Sequence, residues 1–269
     1  MALTNEEMER YSRQIILKNV GGRGQEKLKQ GKVLIVGAGG LGSPVAYYLA
    51  AAGVGTIGIV DSDRVDLSNL QRQILHNSDR LGRLKAESAR ETLLALNPAL
   101  TINIYPLRLG KGNILAIIRD YDVIVDGVDN FPTRYLLNDA CVMTGKTMVE
   151  GGVLQWDGLV MTIKPGQGPC YRCIFPDPPP PGAVPSCQEA GVMGTVPGLI
   201  GAIQATEVIK ILLGVGETLT GRLLIYNALE MRFREIKAER NRNCPVCGEN
   251  PRIRELEEYT FVCEAKGER

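Results

Sequence analysis

"KVLIVGAGGLG", residues 32 to 42, is the stretch on which the fold turns. Val33 to Val36 make an apolar run too short for a helix, and it ends on glycine. Beyond it, Leu41, Val45, Tyr48, Leu49 and Ala52 recur at helical spacing, which predicts one buried helical face. The reading is strand, glycine turn, helix, with Gly37, Gly39 and Gly42 in the spacing G-x-G-x-x-G. Glycines at such a junction allow positive φ and bring backbone amides close to a phosphate, where the helix dipole favours negative charge. The next strand, "TIGIVD" at 56–61, ends on Asp61, nineteen residues after Gly42, where a carboxylate can accept from ribose hydroxyls. These residues alone suit a nicotinamide, a flavin or an adenylate equally, and a packing turn without a ligand gives the same pattern.

Working outward, "NSDRLGRLKAESARETLLALNP" at 77–98 is expected to be a helix opening at the cap residues Ser78 and Asp79 and closing before Pro98. A strand "TINIYP" at 101–106, a helix over 111–120 and a strand "DVIVDG" at 122–127 continue the alternation. Strand and helix in turn predict an α/β fold, a doubly wound and mostly parallel sheet with ligands at the carboxyl ends of its strands. The second half differs. "GLVMTI" at 158–163, "RLLIYNA" at 222–228 and "RFREIKAER" at 232–240 read as strands with one long helix, 196 to 214, before the last two. The parallel half is therefore expected to continue into a mixed, partly antiparallel half. At 269 residues we expect one main domain, with a nucleotide-binding half over 1–150 and a second half over 151–269.

A net charge of +1 excludes an overall field for nucleic acid or an anionic membrane, so any anion binding must be local. The N-terminal residues 1–15 are polar and acidic, unlike a signal peptide. The longest apolar run, 197–214, carries Glu207 and Lys210 and reads as short of a bilayer span. A cytoplasmic protein is expected. Its only biased segment is "PDPPPPG" at 176–182.

The chemistry lies in three places. "DSDRVDLSNLQRQ" at 61–73 sets Arg72 just beyond Asp61, with Lys85 close behind, and two cations suit a triphosphate. Asn69 with Gln71 or Gln73 would complete the hydrogen bonding; a solvated loop is the plain alternative. "VDGVDNFPTRYLLND" at 125–139 puts Asp126 and Asp129 at a strand's carboxyl end, where a carboxylate holds Mg²⁺, although Asp129 or Asn130 would equally cap a helix starting near Pro132. Finally, Cys170 with Cys173 and Cys244 with Cys247 form two C-x-x-C pairs, enough for a closed, structural tetrahedral zinc site. A redox dithiol lacks the strand and helix context it needs. Cys141 reads as a buried apolar residue and Cys263 as a tail residue without a role. Cys187, in a proline-flanked loop, is needed by none of these.

Taken with "YSRQIIL" at 11–17, "RLKAES" at 83–88 and "CQEAGVMGTVPGLIGAIQATEVIK" at 187–210, these motifs resemble the ThiF/MoeB/HesA family of ubiquitin-activating-like adenylyltransferases, in order along nearly the whole chain. The resemblance implies a Rossmann-like fold and ATP-dependent adenylation of the C-terminal glycine of a small ubiquitin-like sulfur-carrier protein ending in Gly-Gly. It places ATP on Gly37, Gly39, Gly40, Gly42 and Asp61, on Ser68, Asn69, Leu70, Gln71, Arg72 and Lys85, and with Mg²⁺ on Asp129 and Asn130. Arg13 matches an arginine that reaches the triphosphate of the other subunit, which implies a homodimer. Cys187 matches a position that forms a thioester or acyl disulfide in some members and is dispensable in others. The chain runs only some twenty residues past Cys247, without a rhodanese-like extension, so a separate sulfur donor is expected, in a molybdopterin, thiamine or related pathway. Two further readings stay open on the residues: a nicotinamide oxidoreductase, for which His76 is the one available histidine, and a zinc-stapled nucleotide scaffold that turns nothing over.

Overall fold

The run at 33–36 forms the core of strand β1, Lys32–Val36, in a computed structural model that describes residues 3–180 and 190–258. Three helices precede it: α1 Asn5–Arg10, α2 Ser12–Ile15 and α3 Gly21–Gln30. After β1 the chain alternates through α4 Gly42–Ala52, β2 Thr56–Val60, α5 Lys85–Leu96, β3 Thr101–Tyr105, α6 Ile114–Ile118, β4 Val123–Asp126 and α7 Phe131–Thr144. Then follow β5 Thr147–Leu154, β6 Asp157–Ile163, α8 Tyr171–Ile174, α9 Thr195–Leu213, β7 Arg222–Asn227 and β8 Arg232–Lys237.

The strands form one eight-stranded sheet in the order β3-β2-β1-β4-β5-β6-β7-β8. From β3 to β5 every pairing is parallel, and from β5 onward every pairing is antiparallel. The expected change from parallel to antiparallel is thus present, and β5 is the hinge of it. The strand order reverses between β1 and β4. At that switch point both chains leave the sheet at their carboxyl ends and open a crevice.

Alternation along the strands divides the core in two. Val33, Ile35, Ile57, Ile59 and Val125 face α4, α5 and α9, whereas Leu34, Val36, Val60, Ile124 and Met148 face α6, α7 and α8. By length and composition α9 is long and apolar enough to cross a membrane, contrary to the expectation from its sequence. In this fold half of that span is buried, and the helix packs on α4 and the β5–β6 hairpin. Its Glu207 is buried and its carboxylate accepts from the Thr162 hydroxyl and the Leu219 amide.

Four local expectations change. Tyr48 is 57% exposed, so the apolar face of α4 is narrower than its spacing implies. The helix expected from residue 78 starts instead at Lys85, because Ser78–Arg80 closes a separate 3-10 turn and Gly82 takes a positive φ between the two. Ser78 and Asp79 therefore cap nothing in α5, whose N-cap residue is Leu84. The helix expected over 111–120 shrinks to α6, because Asn113 folds back to accept from the Gly110 amide. Cys187 lies outside the described residues, and so does Cys263.

Candidate functional site

A cleft of about 1890 Å³ opens along the carboxyl edge of the sheet at the switch point. Its floor is the glycine turn. Gly37 has φ +97° and sits so close to the β4 loop that a Cβ there would meet the Gly127 carbonyl at 2.7 Å. A Cβ on Gly42 would lie 1.8 Å from the Gly37 oxygen, so α4 can begin beneath the turn only with glycine at that position. Gly39 and Gly40 face the cleft, and their amides donate to no group of the described residues.

Asp61, the first residue past β2, lines the cleft and accepts from the amides of Ala38 and Asp63, each at 2.8 Å. Burial raises its pKa, against the pull of Lys85 and those two amides. Lys85 opens α5, is almost wholly buried, and reaches the cleft with its Nζ 2.9 Å from Asp63. Arg72 extends over the glycine turn, its Cγ in van der Waals range of a Cβ built on Gly40, and donates to the Ser68 carbonyl at 3.1 Å. Asp129 is exposed on the cleft wall and makes no hydrogen bond or ion pair with the described residues. Asn130 shares the wall, yet its side chain accepts from the Thr133 amide as the N-cap of α7.

Other expected site residues do not line the cleft. Ser68 and Asn69 spend their polar atoms in a capping box with Asp66. Leu70 is half-buried, and Gln71 reaches toward the Val192 carbonyl. Arg13 is exposed on α2, and Gly42 packs beneath the turn.

Of the two glutamines offered to complete the hydrogen bonding, Gln73 lines the cleft beside Arg72 and Gln71 does not. One residue of the site gave no signal in the sequence beyond its membership of a motif. Arg134 lines the cleft from α7, with its Nε 3.1 Å from both Asp126 and Glu150, and donates to the carbonyls of Val128 and Gly151. It thereby ties the loop carrying Asp129 to β5. Glu150 is fully buried with neither carboxylate oxygen accepting a hydrogen bond of acceptable geometry, and burial drives its pKa well up. Burial and the neighbouring Asp126 disfavour its ionisation, while Arg134 favours it.

The far wall of the cleft runs along β5–β6 past Gly152 and Gly158 to Tyr171, Ile174 and Phe175 on and beside α8. Cys170 is the N-cap of that helix and Cys173 lies within it, and their Sγ atoms with those of Cys244 and Cys247 all lie within 4.8 Å of one another. The closest pairs are 3.3, 3.5 and 3.9 Å apart. A tetrahedral Zn²⁺ with bonds of about 2.3 Å needs sulfurs about 3.8 Å apart, and four thiolates with no open position suit a structural ion. The Asn241 amide pointing at Cys173 Sγ at 3.4 Å is the kind of second-sphere donor such a site uses.

This arrangement agrees with comparison to known proteins. The ThiF family model matches residues 11–246. A sulfur carrier protein adenylyltransferase of Thermus thermophilus is 53% identical over 98% of this chain and 99% of its own length. The adenylyltransferase and sulfurtransferase MOCS3 of Drosophila sechellia is also 53% identical, over 97% of this chain, which spans 58% of that protein. Among solved structures, E. coli MccB with ATP superposes with a TM-score of 0.78 at 25% identity, covering 88% of this chain and 74% of MccB. MccB with AMPCPP and MccA gives a TM-score of 0.80 at the same identity, over 91% and 75%. A glycine turn at the switch point, a two-cation cleft and a four-cysteine cluster are thus found within a sequence match that spans almost the whole chain, and the chain belongs to the ThiF family.

Proposed function

We propose that this chain uses ATP to adenylate the C-terminal glycine carboxylate of a small ubiquitin-like sulfur-carrier protein ending in Gly-Gly, releasing pyrophosphate and preparing the carrier for thiocarboxylation. One observation carries the reading: a single cleft joins a phosphate-binding turn and two cations to a wall of β5–β6 glycines. Gly152 has no side chain on that wall, between Leu159 and Arg134, and an extended Gly-Gly tail would lie beside it.

The residues divide the work by charge. An incoming carboxylate is already ionised at neutral pH, so no general base is required and a single buried histidine suffices. The difficulty is that the nucleophile and the α-phosphate are both anionic. Arg72 and Lys85 neutralise the phosphates, while the free amides of Gly39 and Gly40 receive phosphate oxygens at the N-terminal end of α4. Lys85 gives up little to do so, because its partner Asp63 is 68% exposed. Asp61 holds the ribose hydroxyls with its remaining acceptor capacity. Asp129, exposed and without a partner among the described residues, would hold Mg²⁺, which would supply positive charge against the phosphates. Zn²⁺ on the four cysteines is structural and fixes α8 against the tail-binding wall.

Arg13 serves the neighbouring subunit of a homodimer, a separate protein supplies sulfur, and the carrier belongs to a molybdopterin- or thiamine-type pathway. Incubating the chain with Mg-ATP and a small carrier ending in Gly-Gly tests the core of this. The carrier should gain the mass of one AMP, and a carrier lacking its last glycine should not. ATP binding without any adduct would instead make the protein a nucleotide scaffold.

A further inference from the structure

We infer that His76 is a positioning residue for the nucleotide-binding turn: as a neutral imidazole protonated on Nε2, it anchors the Ala38 carbonyl and so presents the Gly39 amide to the cleft. This rests on the proposed binding of ATP and names a residue that secures it.

His76 is the chain's one histidine, 7% exposed, and follows the segment that carries Arg72. It is not part of the cleft wall. Its Nε2 lies 2.9 Å from the Ala38 oxygen and its Nδ1 2.9 Å from Ser88 Oγ. A carbonyl oxygen only accepts, so Nε2 carries the proton. Ser88 Oγ is also 3.4 Å from Arg80 Nη1, which only donates. The serine hydroxyl can turn its own proton to Nδ1, which is bare when the ring is neutral and Nε2 is protonated. The charged groups around the ring agree. Arg80 approaches from the 3-10 turn, itself 3.6 Å from Glu91 of α5, Lys85 stands at the start of α5, and Asp61 lies on the far side of Ala38. Burial, reinforced by Lys85 and Arg80, holds the imidazole below the usual histidine range.

The effect on the turn follows from peptide geometry. All peptide bonds among the described residues are trans, so the Ala38 C=O and the Gly39 N–H of one peptide point in opposite directions. Holding the oxygen inward against His76 turns the Gly39 N–H outward. The preceding peptide is held as well, since the Ala38 amide donates to Asp61. Ala38 is thus clamped on both sides, between Gly37 at φ +97° and Gly39, in a turn whose glycines would otherwise leave it free to rotate. A donor fixed before the anion arrives loses less on binding than one that must be ordered.

The test uses untagged protein, so that the single histidine gives the only imidazole signals. Histidine-¹⁵N NMR at pH 7 should show the neutral Nε2–H form; an Nδ1–H form or an imidazolium would overturn the assignment. His76→Phe keeps the ring shape without the donor. We expect it to retain its melting transition and metal but to bind ATP about tenfold more weakly or worse, equivalent to about 1.4 kcal/mol. At saturating ATP its kcat should stay near the wild-type value, placing the loss in KM. His76→Gln, whose amide reaches the Nε2 position, should recover most of the affinity. Should His76→Phe fail to fold, His76→Asn replaces it, because its shorter amide stops near Ser88 and is expected to be as weak. Wild-type affinity in the donor-less variant would overturn the role of His76 alone. A wild-type protein that does not bind ATP would overturn the proposed function first.

Discussion

At the scale of single residues the site is a balance of charge that sequence shows only in part. Arg72 and Lys85 were legible because two cations follow Asp61 closely, and the structure brings all three to one cleft. For Ser68 and Asn69 the sequence did not show the capping box they close on Asp66, which depends on backbone geometry. Arg72→Ala should lower adenylation about 100-fold or more while leaving the melting temperature nearly unchanged, since its hydrogen-bond partner among the described residues is one carbonyl. Unchanged turnover would remove it from the phosphate site.

Glu150 makes the opposite case, a group whose role lies in the fold. Its folded pKa is raised above that of the unfolded chain, so its favourable contribution is full below the ordinary carboxylate range and is lost as pH rises through the folded value. Glu150→Gln mimics the neutral acid and removes that slope. Denaturant unfolding should show the variant gaining on the wild type between pH 5 and pH 8; parallel pH profiles would mean that Glu150 is ionised in the fold. Breaking the cluster from the other side, by Arg134→Ala, should cost about 3–5 kcal/mol, since it leaves buried carboxylates unpaired.

At the scale of elements, the glycine turn and strands β1, β2 and β4 announce themselves because each is a short apolar run ending in glycine or aspartate. β5 does not, although it carries the change from parallel to antiparallel. Gly151 and Gly152 interrupt its apolar pattern, and Gly151 is glycine because Gln204 occupies the space a side chain would need. The start of α5 differs from the expectation because Ser78 and Asp79 lie inside a separate 3-10 turn. Asn130 shows how one residue invites two readings, on the cleft wall and capping α7 at once. Asn130→Ala should cost about 1 kcal/mol of stability. Asn130→Ser should restore most of that; if adenylation returns with stability, Asn130 acts as a cap, and if it does not, the amide also touches nucleotide.

For the whole molecule, the four cysteines join a segment after β6 to one after β8, a constraint read directly from two C-x-x-C pairs. What the pairs could not show is that α8, which starts at one cysteine and contains the next, forms part of the cleft wall with Tyr171 and Ile174. One zinc per chain is expected, and Cys244→Ser should release it and destabilise the antiparallel half. Metal analysis with thermal unfolding checks this, and a metal-free wild type of equal stability would contradict it. The proposed homodimer has its own signature. Mixing Arg13→Ala with Arg72→Ala protein should restore up to about a quarter of wild-type activity, because half of randomly assorted dimers carry one intact composite site. No restoration would place Arg13 outside the neighbour's cleft.

The central claim is that this cleft joins ATP to a carrier's terminal carboxylate, and ATP–pyrophosphate exchange measures that step directly. With a small carrier ending in Gly-Gly, labelled pyrophosphate should enter ATP rapidly, and the exchange should vanish when the last glycine is removed or the carrier omitted. Exchange that persists without the terminal glycine, or its complete absence while ATP and carrier both bind, would contradict the account.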